Sequence, residues 1–193
     1  MTVARFLMAL ACMILALGSV SSAVAQQAQN RAQTELTDLF ATFCLTKFPD
    51  EAAVGQYATA KGARTMPEDK LHAILGDDPG SGWLYETAFG TYALTIRQSP
   101  SHDCTISNRL DKIGDIRDAY GTTLSLWVGT RRLGKLGVFP PIEKQIAGQI
   151  AQVYEWQLTR TDGTKESFTA MLIPAPDAET EIRLARSIPI PDQ

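Results

Sequence analysis

Apolar residues recur at three- and four-residue spacing at Leu36, Leu39, Phe40, Phe43, Cys44 and Phe48, the stripe of one helix face. The pattern predicts a helix from Glu35 that stops at Pro49, with a polar, frayed stretch over Gln26–Gln33 ahead of it. Asp50 is placed to cap a weaker helix over Glu51–Lys61 that Gly62 ends. Thr65-Met66-Pro67-Glu68 has capping-box spacing with proline in the first turn. It opens a short helix that carries Leu71, Ile74 and Leu75 to Gly76.

Beyond a loop composition at Asp77–Gly82 the period shortens to two. Trp83 and Tyr85 alternate with Leu84 and Glu86, and Tyr92, Leu94 and Ile96 alternate with Ala93, Thr95 and Arg97. Ser99-Pro100-Ser101 turns the chain into a third strand that holds Cys104 and Ile106. The helical period returns over Asp111–Thr130, where Ile113, Ile116, Tyr120, Leu124 and Trp127 form a narrow stripe. Gly114 and Gly121 weaken that helix by roughly 1 kcal/mol each relative to alanine. Arg131–Pro141 is expected to be a linker and Pro141–Ile150 a further helix. Strands at Val153–Thr159 and Lys165–Ile173 flank Asp162-Gly163, and a last strand follows at Glu181–Ser187.

Short connections favour antiparallel pairing. The fold class expected is α+β: N-terminal helices, then an antiparallel sheet of about five to six strands with the 111–130 helix packed on one face. The hairpin at Asp162-Gly163 has two registers. A two-residue loop pairs Trp156 with Thr169. A three-residue loop, Thr161-Asp162-Gly163, pairs Trp156 with Phe168 and Tyr154 with Ala170 and gathers the large apolar groups on one face. Because a one-residue slip turns a whole strand over, the second is expected, with Gly163 at positive φ.

The N-terminus has its own pattern. One basic residue, Arg5, precedes an apolar run from Phe6 to Leu17, and small residues follow, ending in Ala23-Val24-Ala25. This is the layout of a cleavable export signal over residues 1–25, cut between Ala25 and Gln26. The run is interrupted by Gly18 and serines and is short for a spanning helix. Too little apolar sequence lies ahead of Cys12 for acylation there. Residues 26–193 are then expected to form a single globular α+β domain in the periplasm or outside the cell.

That remainder carries 17 basic and 21 acidic residues. A mild acidic balance gives no general attraction for nucleic acid or anionic lipid, and no later stretch is apolar enough for stable membrane insertion. Cys44 and Cys104 remain after Cys12 leaves with the signal, and two cysteines in an oxidising compartment most often pair.

The candidate chemistry is thin. His102 beside Cys104 suggests a thiolate pair, but Cys104 has a partner in Cys44, and Asp103 points to the other face of a strand. His72 and His102 lack metal-ligand spacing. Asp111, Asp115 and Asp118 fall opposite the apolar stripe, as a solvated face would. Asp77–Gly82 lacks the spacing of a calcium or phosphate loop. Arg131, Arg132 and Lys135 suit the dipole at the end of the main helix or a docking patch. Trp83, Tyr85, Tyr154 and Trp156 suit a core more than a ligand pocket. No catalytic, cofactor or metal residues are therefore expected. The sequence favours a small non-enzymatic exported protein that binds a partner protein or a small ligand. The alternatives are a hydrolase-like envelope enzyme with a site assembled from scattered residues, or an inhibitor or structural protein of the envelope.

Overall fold

The computed structural model describes residues 27, 30–110, 115–146, 148–175 and 179–190. The export signal expected at residues 1–25, its Ala25–Gln26 boundary, and Asp111 and Ile113 lie outside these residues. Among the described residues the chain forms four helical elements and nine strands. Helix α1 runs over residues 30–40 and continues as a π-helix over Ala41–Lys47. It is followed by α2 (Glu51–Ala60), β1 (Arg64–Thr65), α3 (Glu68–Leu75), β2 (Gly80–Thr87), β3 (Gly90–Arg97) and β4 (His102–Leu110). Then come α4 (Ile116–Arg131), β5 (Gly134–Val138), β6 (Ile142–Ile146), β7 (Gln149–Arg160), β8 (Lys165–Pro174) and β9 (Thr180–Ile188).

All strands join one antiparallel sheet in the order β1-β2-β3-β4-β9-β8-β7-β5, with β6 also on β7. The fold is α+β, as the pattern predicts, but it is mostly sheet, with nine strands and not five to six. Six strands stand where alternation places them. The three additions have local reasons. Thr65 pairs with Trp83 as part of β1, so it does not cap α3, which starts after Pro67 with no side-chain cap. The expected linker at 131–141 contains β5, and the expected helix at 141–150 contains β6. Both lie along the free side of β7, Gly134–Val138 against Arg160–Trp156 and Ile142–Ile146 against Val153–Gln149. Gly80–Gly82 also belongs to a strand and not to the expected loop.

The helices divide between the faces. Helices α1, α2 and α4 share the core face, so the single main helix expected from the sequence has two companions there. Phe40, Phe43, Cys44 and Phe48 of the first segment are buried with Val54 of α2 and Tyr120, Leu124 and Val128 of α4. The Tyr120 ring meets Phe40 edge-on at 4.9 Å and Trp156 at 5.2 Å. Asp50 caps α2 through a bond from the Ala53 amide. Helix α1 is already formed at residues 30–33, where Ala32 and Gln33 are buried, so the polar start is not frayed. Helix α4 begins later than its stripe suggested, with Asp115 as its cap. On the opposite face lies α3. It approaches β2 closely because Gly80 and Gly82 have no side chains: a Cβ on Gly82 would stand 2.9 Å from Leu71 Cδ1. At the β7–β8 hairpin Trp156 pairs with Phe168 and Tyr154 with Ala170, and Gly163 has φ +86°, the three-residue register that burial favours.

Candidate functional site

Strand alternation sends Tyr92, Leu94, Ile96, Cys104 and Ile106 into the core. The residues between them, Thr95, Arg97, Asp103, Thr105 and Ser107, therefore face α3. Met171 of β8 and Glu181 and Arg183 of β9 join them, and Ile74 and Leu75 of α3 hang over the side. Together they enclose about 80 Å³. Ile74, Ser107, Glu181 and Arg183 also border a wider groove of about 520 Å³, which continues along α3 past Lys70 and Leu84.

Charge in the enclosed end is balanced and incompletely satisfied. Arg97 lies between two carboxylates, with Nη1 3.5 Å from Asp78 Oδ2 and Nε 3.6 Å from Asp103 Oδ2. Ser101 Oγ donates to the same Asp103 oxygen at 2.9 Å. The other one, Oδ1, and Arg97 Nε are buried with no hydrogen-bond partner, although Asp103 is only 9% exposed. A buried polar atom without a partner costs about 1–3 kcal/mol, more when charged. Arg183 Nε donates to Glu181 Oε1 at 2.7 Å, and its terminal nitrogens make no hydrogen bond among the described residues.

Other residues singled out in the sequence have separate places. Cys44 and Cys104 are bonded, with Cα atoms 5.4 Å apart and no exposed surface, which leaves no thiolate to pair with His102. His102 faces the core side, its ring 4.5 Å from Phe48 and its Nε2 3.2 Å from Glu51 Oε1. His102 and Asp103 thus serve opposite faces. His72 is exposed beside Asp77. Among the described residues no three His, Cys, Asp or Glu side chains are placed to hold a metal ion. The Asp115 carboxylate accepts from the Asp118 amide as the α4 cap. Arg132 ends α4 in the left-handed region at φ 52°, and Lys135 lies on β5. Trp156 is in the core with half-buried Tyr154 beside it, and Trp83 and Tyr85 are half-buried against the same core at the β2 end of the sheet.

One cluster gives no hint in the sequence. Arg186 of β9, between the rings of Phe48 and Trp127, is buried and donates to Glu166 Oε2 at 2.9 Å, Cys44 O at 2.8 Å and Phe48 O at 3.2 Å. Arg160 reaches the other Glu166 oxygen. Burial lowers the Arg186 pKa, and the hydrogen bond and charge of Glu166 oppose that. These partners are protein groups, so the cluster fastens the π-helix and does not receive a ligand. A second open groove, about 650 Å³ between α4 and β5, is bordered by exposed Leu126 and Val138.

Neither a family model nor a curated protein matches the chain. Among solved structures, a Pseudomonas aeruginosa protein of unknown function, PA94, aligns at 16% identity over 56% of this chain and 83% of its own, with a TM-score of 0.26. At that TM-score the alignment establishes no shared fold.

Proposed function

We propose that this chain is an exported, non-enzymatic binding protein whose ligand site is the polar groove under α3. The observation that carries the reading is the shape and lining of the groove: an enclosed end of about 80 Å³ lined by Arg97, Asp103, Glu181 and Arg183 opens into a cleft of about 520 Å³ along α3. The binding reading also draws support from the separation of His102 from Thr105 and Ser107, which keeps a histidine base away from the groove hydroxyls. Export draws support from the basic, apolar, then small order of residues 1–25 and from the Cys44–Cys104 bond. Among the described residues no helix is long and apolar enough to cross a membrane.

The test is thermal denaturation of the secreted or periplasmic chain with and without the small-molecule fraction of the same compartment. A ligand at a hundred times its dissociation constant adds about 2.7 kcal/mol, which for a chain of this size raises Tm by roughly 5–10 °C. The rise should be present in wild type and lost in Asp103→Asn. No rise, or an equal rise in the variant, overturns the groove as the site. Intact mass of the exported form should begin at Gln26. Retention of residues 1–25, or lipid on Cys12, overturns the export reading.

A further inference from the structure

We infer that the free edge of β5, beside α4, docks an extended peptide that alternates apolar and acidic residues. This site is separate from the groove under α3 and does not depend on it. Strand β5 is the last strand of the sheet beyond β7. Phe139 N donates to Glu155 O at 3.0 Å, and Thr161 N donates to Leu133 O at 3.2 Å. Both bonds fall in the β5–β7 register, in which hydrogen-bonded and open pairs alternate. Lys135 and Gly137 therefore turn their backbone groups toward β7. Leu136 and Val138 turn theirs outward, where no strand meets them among the described residues. Pro140 and Pro141 lack an N–H and end the edge, so it takes a segment about as long as the five residues Gly134–Val138.

The side chains sort by face. Val138 pairs with Trp156, whose ring is in the core, so Val138 rises on the α4 side, and Lys135 stands on the other. Between Val138 and α4 lies the groove of about 650 Å³ with Gly121 and Trp156 at its base. A Cβ on Gly121 would stand 3.4 Å from Trp156 Nε1. Its absence keeps that N–H clear, and Nε1 has no hydrogen bond among the described residues, although Trp156 is 3% exposed. Leu126 and Val138, 63% and 58% exposed, are large apolar groups left uncovered at the rim. A strand added about 4.8 Å beyond β5 sends alternate side chains to this rim. Its other side chains fall on the face of Lys135. There Lys135 and Lys165 both flank Thr159, and neither is in an ion pair among the described residues. Acidic residues complement them. A second copy is a poorer occupant. Two-fold pairing of β5 with itself sets one concave groove against another and fills neither.

The test titrates the oxidised, exported chain into fluorescently labelled acetyl-Val-Glu-Leu-Glu-Val-amide, with anisotropy as the readout. In antiparallel pairing the apolar residues of the peptide bond to Leu136 and Val138, and the glutamate N–H groups point away. N-methylation of the central leucine should therefore weaken binding about tenfold or more, a loss of about 1.4 kcal/mol. N-methylation of a glutamate should not. Lysines in place of the glutamates should weaken binding, and Lys135→Glu should reverse that preference. Leu126→Asp and Val138→Pro should each lose most of the binding. Leu126 is exposed, and the Val138 N–H points away from β7, so both changes spare the sheet. No saturable binding, or equal binding of the two N-methylated peptides, overturns the site. A lysine peptide that binds as tightly overturns the acidic pattern. Sedimentation that finds a wild-type dimer dissolved by Val138→Pro assigns the edge to a second copy and overturns the peptide as its occupant. The N-methyl comparison needs only wild type, so it decides the matter even where a variant does not fold.

Discussion

Arg186 has a guanidinium in the core whose partners are Glu166 and two backbone carbonyls, those of Cys44 and Phe48. Removing one member of such a pair strands the other charge, and the usual cost is about 3–5 kcal/mol. Glu166→Gln should therefore lower urea stability by about that amount, and Glu166→Gln with Arg186→Met by less than the sum of the two single changes. A fully additive double variant would show that the two residues do not act as a unit. Two tyrosines give a pH signature. Burial raises the Tyr92 pKa far above its ordinary value, and the hydrogen bond to Glu35 adds to the effect. Burial also raises that of Tyr120, whose hydroxyl donates to Ala185 O at 3.0 Å. The unfolded chain ionises both near pH 10. Their contribution is thus complete below about pH 10 and is lost as the pH rises further. Tm should drop steeply above that point, and Tyr92→Phe should make the drop shallower. An unchanged slope would mean that Tyr92 reaches water.

At the scale of elements, the β7–β8 hairpin tests how sharply a turn sets register. Gly163 sits at positive φ with nothing within 4 Å of where a Cβ would stand, so alanine there meets backbone strain and no collision. Gly163→Ala should cost about 1 kcal/mol by chemical denaturation and leave the Trp156–Phe168 pairing intact. Loss of the pairing would show that the glycine, and not burial, selects the register. Asp162 reinforces the turn by accepting from the Thr164 hydroxyl and amide, which lowers its pKa, so the turn should loosen only as the pH falls through the acid range below about 4. This hairpin was legible because Tyr154, Trp156, Phe168 and Ala170 all need the same side. Strands β5 and β6 were not. Ile142 and Ile146 are four apart, a helical spacing, and β6 lies exposed on a sheet edge where no alternation marks it. Its state is decided by pairing with β7, which is a tertiary fact. The candidate site was half legible. That Asp103 and Cys104 face opposite ways follows from strand geometry alone. Arg97, Thr95 and Thr105 could have been read as a polar face behind Leu94, Ile96 and Cys104. Arg183 could not, because its strand comes from the far end of the chain.

Over the whole molecule, Cys44 is held twice. Its sulfur is bonded to Cys104 on β4, and its carbonyl accepts from Arg186, the residue paired with Cys104 on β9. The disulfide spans 60 residues, and the loss of unfolded-chain entropy for that length is worth roughly 4 kcal/mol. That is a large share of the roughly 5–15 kcal/mol net stability of a domain. Cys44→Ala with Cys104→Ala should lose about that much in guanidinium denaturation, and thiol titration of the native oxidised protein should find nothing to react. Two reactive thiols in the folded chain would end this account. Strand β9 has a further consequence through its position. It is the last strand in chain order, yet it lies between β4 and β8. The sheet is therefore an arch whose keystone is laid last. Until residues 180–188 arrive, the ribbon β1–β4 and the ribbon β5–β8 each end in an open edge, and the carbonyls of Cys44 and Phe48 have no guanidinium to receive. A chain stopped after Ala175 should form the Cys44–Cys104 bond, remain open to protease along both ribbons, and associate with other copies through the bare edges of β4 and β8. Loss of β9 should thus expose to protease two strand edges that the intact sheet covers.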